Sequence, residues 1–258
     1  MKRQGILRTL GYVVIALGAA FATAVQAAAN VQSLRGDVRV GAQQVNVNDR
    51  ITSGATITTG AGAQAVLKFD DEQVVVLNEN TTFRITDFRF RKEEPRNDRS
   101  IFDLVRGALR VISGAVASRS QASFQLRVPQ ATIGIRGTDF MVAIVNPALI
   151  SVGTGAVSVT NSGGTAVFGA GSFGSVATSS SLAAAIPASA VPSGASAAFS
   201  SMNAVAGVVG GGMAPGAAGV GAGAATTGVG AAAVVIGGVV AAGIALQKDE
   251  KATVTHTP

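Results

Sequence analysis

The sequence predicts an all-β domain of short twisted strands, in a roll, solenoid-like or sandwich arrangement. A low-complexity Gly/Ala-rich tail with a candidate C-terminal helix follows it. Three observations carry this reading. Short apolar alternations recur from Asn30 to Thr178, broken by Gly, Asn or Asp, and no window of helical period competes with them. The alternation slips phase around Thr86 and Asp87, as a bent strand requires. Finally, no Asp, Glu, Lys, Arg or His occurs between Asp139 and Lys248. A uniformly folded soluble domain rarely leaves such a span uncharged, so two physical regimes are expected.

Residues 1–29 read as an export signal: Lys2, Arg3 and Arg8 give a basic start, Leu10 to Val25 an apolar run, and Ala27 to Ala29 a small-residue cleavage region. The mature chain is expected to begin between Ala28 and Asn30. The chain has no cysteine, which excludes a lipid-attached N-terminus and is compatible with an oxidising compartment. The formal net charge is +6, and losing the three basic residues of the leader leaves +3. That balance is a poor argument for nucleic-acid binding.

The β region is expected over residues 30–178. In AVLKF, Leu67 and Phe69 share a face while Lys68 points away; in SFQLRV, Phe124, Leu126 and Val128 alternate with Gln125 and Arg127 until Pro129 stops the run. Phe83 and Ile85 lie on one parity, and Phe88 and Phe90 on the other, so keeping all four inward demands a bulge between them. The turn residues Asn161 to Gly164 signal a hairpin. Residues 179–227 read as a Ser/Ala/Gly-rich linker with at most a helical turn or two. Gly228 to Leu246 has no polar side chain and a small-residue stripe at Ala233, Gly237, Ala241 and Ala245, as a membrane helix with close helix contacts would. The alternative for 228–246 is a Gly/Ala linker. Residues 247–258 form a polar tail.

Enzymatic chemistry finds few residues to work with. His256 is the sole histidine and lies in the polar tail, so Ser–His, Cys–His and His/Cys zinc arrangements cannot be assembled in the β region. Asp70, Asp71 and Glu72 form an acidic cluster after a strand, read as a solvated turn ahead of a calcium site or half of a glycosidase pair. GAGSFG (Gly169–Gly174) spells a dinucleotide-binding string, but its flanks look like strands and no acidic residue follows before Asp249. The aromatic and basic run FRITDFRFRK (Phe83–Lys92) reads as a strand with Phe inward and Arg outward. No cofactor, no metal and no nucleic-acid partner is expected.

The segment PQATIGIRGTDF is the most informative. Ile133 and Ile135 point one way; Thr132, Gly134 and Arg136 point the other, so Gly134 leaves bare backbone beside the arginine. Gly137 permits a bulge or a close approach before Thr138, Asp139 and Phe140 resume the strand. Arg136 carries five donors in a planar fork. The expected role is a buried clasp between strands, with Asp139, Asp103 or the Asp70–Asp71 pair accepting; recognition of a partner is the competing role.

This stretch resembles the signature of the FecR domain family. LRGDVRV (Leu34–Val40), the block from Val45 to Thr81, FDLVRGALRVISG (Phe102–Gly114) and the trailing hairpin up to Thr178 are similar to further family segments in order. DDEQ departs from the family's Asp-Gly turn after Phe69. The resemblance implies an elongated, partly solenoid-like β structure. It carries the family motif onto Thr132, Gly134, Ile135, Arg136, Gly137, Thr138 and Asp139, in a structural or partner-binding role. It also implies a non-catalytic extracytoplasmic protein of a Gram-negative envelope (periplasm or outer envelope), recognising an envelope protein of unspecified identity in signalling. Family regulators place a cytoplasmic anti-sigma portion ahead of a membrane span; here Met1 to Thr9 precede the apolar run, so the extracytoplasmic half alone is expected. The alternative is a structural or surface-anchored envelope scaffold, with membrane association through the C-terminal segment.

Overall fold

The computed structural model describes residues 27–209. The core of the expected leader and the candidate spanning segment Gly228–Leu246 lie outside the described residues. Among the described residues, no helix is long and apolar enough to cross a membrane.

The elements run β1 (Ala27–Arg35), β2 (Val38–Val40), β3 (Gln43–Gln44), β4 (Arg50–Thr52), β5 (Thr56–Thr59), β6 (Gln64–Phe69), β7 (Val74–Leu77) and β8 (Thr82–Arg89). After β9 (Arg99–Ile112) comes α1 (Ala115–Arg119), then β10 (Phe124–Val128), β11 (Ala131–Ile144), β12 (Ala148–Asn161), β13 (Gly164–Gly169), β14 (Phe173–Val176), β15 (Ala184–Ile186) and α2 (Ser193–Val209). All fifteen strands form one continuous sheet.

Three strands of 14 residues each, β9, β11 and β12, fold this sheet back on itself. Each changes the parity of its buried residues half-way. In β9 the inward set passes from Phe102 and Leu104 to Leu109 and Val111; in β11 from Ile133 and Ile135 to Phe140 and Val142; in β12 from Ile150 and Val152 to Val157 and Val159. Since a strand alternates faces with a period of two, each switch marks a bulge or bend. The first halves of β9 and β11 and the second half of β12 pair into one layer, with order β3-β2-β5-β8-β9-β10-β11-β12-β13. The remaining halves form the second layer, β4-β1-β6-β7-β9-β11-β12-β14-β15.

Between the layers lies a phenylalanine core. Phe102 on β9 packs against Phe69 and Phe83 at 5.2 Å and against Phe124 at 6.0 Å, and Phe124 meets Phe140 edge-on at 6.3 Å. The expected slip near Thr86 is there, as a register shift between Ile85 and Asp87 that keeps Phe83, Ile85 and Phe88 buried. The hairpin at Asn161–Gly164 joins β12 to β13, and GAGSFG joins β13 to β14, strand to strand.

Two boundaries differ from the sequence reading. The sheet starts before Asn30, because Ala28 and Ala29 are buried in β1, with Ala29 opposite Phe69. The segment read as a linker from residue 179 contributes β15 and the helix α2. Ala195, Phe199 and Met202, spaced four and three apart, bury themselves on the outer face of the second layer against Val66, Val76 and Met141. Ser201 donates to Asn78 and Asn203 accepts from Arg110, which fixes the helix along this face.

The bends of β11 and β12 lie side by side. Gly137 and Thr138 together face Gly155, a bulge in which both glycines take positive φ, +53° and +73°. A Cβ on Gly155 would run into the Gly137 carbonyl oxygen, whereas one on Gly137 would meet nothing within 4 Å. Gly137→Ala should therefore lose about 1–2 kcal/mol, the left-handed backbone alone, and Gly155→Ala about 3 kcal/mol or more. Urea unfolding of the two variants tests this; equal losses would show that the close approach at Gly155 does not constrain the bend.

Candidate functional site

The family-motif residues share β11 but not one environment. Thr132 is half-buried and lies opposite Thr160; Ile135 is buried in the core. Thr138 is buried, its N–H donating to Ser113 Oγ at 3.0 Å, and its own Oγ1 has no partner among the described residues. Asp139 is half-buried on the outer face. Arg136 and Gly137 are exposed.

Arg136 is not the buried clasp. Its Nε donates to Gln121 Oε1 at 3.0 Å, and among the described residues it makes no ion pair with Asp139, Asp103, Asp70 or Asp71. The clasp is Arg110: its Nε donates to Asp139 Oδ1 at 2.8 Å, Nη2 donates to Oδ2, and Nη1 donates to Asn203 at 2.9 Å. With side chains 15% and 23% exposed, this fork joins β9, β11 and α2. The outward position of β11 that faces solvent carries Arg136; the outward position of β9 that α2 covers carries Arg110. Arg110 interrupts an otherwise apolar stretch, with Ala108, Leu109 and Val111 all buried around it, and that contrast was its signal in the sequence.

The acidic cluster disperses. Asp70 lies 3.5 Å from Arg50, Glu72 pairs with Lys68, and Asp71 turns inward, so the three carboxylates do not converge on one ion. Asp71 accepts from the Gln73 N–H and, at 3.1 Å, from the Val116 N–H, thereby capping α1, whose own N-cap residue is Gly114. The departure from an Asp-Gly turn is accommodated by Glu72, which takes the left-handed conformation at φ +68°. Burial pushes the Asp71 carboxyl above its ordinary value, while the Val116 and Gln73 N–H groups pull the other way.

Two depressions accompany these residues. An open groove of about 980 Å³ runs under the loop after β8, but its arginines are committed, Arg89 to Asp87 and Arg91 to Glu94. The second, about 400 Å³, lies on the outer face of the first layer and is lined by Gln121, Gly134, Arg136, Ala156, Ser158 and Val167. Its floor is low because Gly134 faces Ser158, where a Cβ would come within 2.7 Å of Oγ. Arg136 stands at the rim with Nη1 and Nη2 unspent among the described residues, a fork suited to a carboxylate.

Residues 55–158 match the family described as FecR protein, a span from β5 into β12 that includes the whole signature stretch. Over that span the chain is similar to the FecR family. The FecR match ends inside β12, leaving the rest of the trailing hairpin and α2 outside it. No curated protein sequence matches the chain. Two crystal structures of a candidate anti-sigma factor from Parabacteroides distasonis are similar to it, each at 18% identity over 51% of this chain, with TM-scores of 0.41 and 0.42. The chain spans 58% of the length of those structures.

Two measurements follow. Arg110→Lys should destabilise the β domain by about 1–2 kcal/mol, because an ammonium cannot hold Asp139 and Asn203 together, and Arg136→Lys should stay within about 0.5 kcal/mol of wild type. Equal losses in thermal unfolding would return the clasp to Arg136. For Asp71, a folded-state value raised above the unfolded one means that its stabilising contribution is complete below about pH 4 and is lost as pH rises through the raised value. The stability difference between wild type and Asp71→Asn should therefore shift in favour of wild type as pH falls toward 4; a difference independent of pH would remove the buried carboxyl from the balance.

Proposed function

We propose that this chain is an exported, non-catalytic recognition module that binds a protein partner in envelope signalling through the face carrying Arg136. The supporting observation is the exposed fork of Arg136 above a floor of bare backbone, in the segment that bears the family signature. A stability role would bury and pair this arginine; the fold instead gives that role to Arg110. The partner presents a carboxylate, from an acidic side chain or a chain terminus, to Nη1 and Nη2, and its backbone lies over Gly134 and Ala156. Export is supported by the basic start and apolar run of residues 1–29, and the burial of Ala28 and Ala29 favours a mature N-terminus at Ala28 over Asn30.

In cells expressing the tagged full chain, the envelope fraction should yield a protein whose N-terminal peptide starts at Ala28, together with a cross-linked partner. Arg136→Glu should abolish the cross-link, while Arg127→Glu, exposed on the same layer, should preserve it with unchanged thermal unfolding. A cross-link indifferent to Arg136→Glu would refute recognition by this face, and an intact Met1 in the cytosol would refute export.

A further inference from the structure

We propose that the free edge of β13 pairs with the same edge of a second copy of this chain, antiparallel about a two-fold axis at Ala166. β13 bonds to β12 on one side, and no strand among the described residues bonds to its other side. The two-residue loop Ser162–Gly163 makes Asn161 and Gly164 a hydrogen-bonded pair. Antiparallel alternation then turns the N–H and C=O groups of Thr165 and Val167 away from β12, toward the open edge.

Natural sheets guard such edges with lysine, proline, bulges or extreme shortness. The other edge strands are short: β3 spans 2 residues, β4 and β15 span 3 each, and β4 carries Arg50. β13 is longer, at 6 residues, in unbroken register with β12, and its sequence GTAVFG has no charge and no proline. Val167 is 68% exposed, and Leu182, which approaches Gly164, is 53% exposed. The edge is unguarded and partly apolar.

The occupant is a second copy because the edge is complementary to itself. With the axis at Ala166, Thr165 of one copy exchanges two hydrogen bonds with Val167 of the other, and the reverse, which satisfies all four outward groups. Thr and Val both favour strands, and Val167 packs beside Thr165 of the second copy on the outer face. The absence of charge from Phe140 to Gln247 removes like-charge repulsion between two copies of a basic chain, and it leaves nothing for a charged strand to pair with. The pairing shares Val167 with the Arg136 depression, but the guanidinium itself lies two strands further in, on β11.

The test uses the full chain in sedimentation velocity from about 1 to about 100 μM, the range suited to a small interface. Wild type should show a monomer–dimer equilibrium. Thr165→Glu and Val167→Lys should each weaken it by about tenfold or more, and the double variant, which places each Glu opposite a Lys of the second copy, should recover it to within about threefold. Since the chain has no cysteine, Ala166→Cys gives a direct second readout. The axis brings the two Cα atoms to about 4.5 Å, the non-hydrogen-bonded spacing, which a disulfide accepts. Ala166→Cys should therefore cross-link on mild oxidation, and Thr165→Cys should not. A monomer throughout, a dimer indifferent to the single charges, or failure of the double variant to recover would each overturn the proposal. So would a monomeric Ala166→Cys variant whose introduced thiol becomes reactive only when the residues after 209 are removed, since the chain's own tail would then hold the edge.

Discussion

Phe102 touches three other phenylalanine rings, and it can do so only because the sheet closes over it from both sides. Burying seven phenylalanines between two layers is the term the rest of the architecture serves, since each such ring is worth several kcal/mol on truncation. Closing the sheet requires the long strands to cross from one layer to the other without losing their apolar faces, hence the parity switch in each. The crossings then set what the outer faces can do. On the second layer, Val66, Val76 and Met141 also point outward and need cover, which α2 provides. On the first layer the outward positions are Arg84, Arg127, Thr132 and Arg136, which can face water uncovered.

The two arginines of the outer faces show how burial divides roles between chemically identical groups. Arg110 sits under α2, where an unpaired guanidinium would be costly, and is fully engaged with Asp139 and Asn203. Arg136 is exposed and, among the described residues, is held only at Nε. Its holder, Gln121, follows α1, and α1 is capped by the buried carboxylate of Asp71. A residue placed in a turn between β6 and β7 thus orients, through one short helix, the arginine of the signature stretch. Asp98, buried and bonded to Arg119 at the end of the same helix, secures the other end.

The sequence made the strands legible wherever one face is buried and the other wet. β10 alternates cleanly because Gln125 and Arg127 meet solvent, and the bulge at Thr86 was readable from four large side chains on two parities. Where both faces are covered, alternation gives no phase. Ala65, Val66, Leu67, Val75, Val76 and Leu77 are all buried, and nothing in their order says which face meets the core and which meets α2. The helix itself was hidden by composition. Its anchors Ala195, Phe199 and Met202 keep helical spacing, but Ser and Ala fill the positions between them and resemble a linker. The sequence suggests burial for Arg136 because its near neighbours in the chain are uncharged, whereas in space it is exposed beside Gln121 and Ser158.

The charge-free span after Asp139 needs a different explanation from the one its composition suggests. Up to Val209 it belongs to the fold, as β12 to β15 and α2, so lack of charge does not mark a boundary there. Its polar surface is built from hydroxyls and amides instead. Thr160 bonds Thr165 across the hairpin, Thr178 bonds Ser181, and Asn161 donates to the carbonyls of Gln130, Thr178 and Ser181, tying the hairpin to the following segment. Neutral hydrogen bonds of this kind keep such a surface wet without giving it a field. Charge is concentrated instead on the first half of the chain and at the signature arginine. One end of the domain can therefore approach any neutral surface without a Coulombic barrier, while Arg136, beside the Ser158 end of that surface, holds an exposed positive charge.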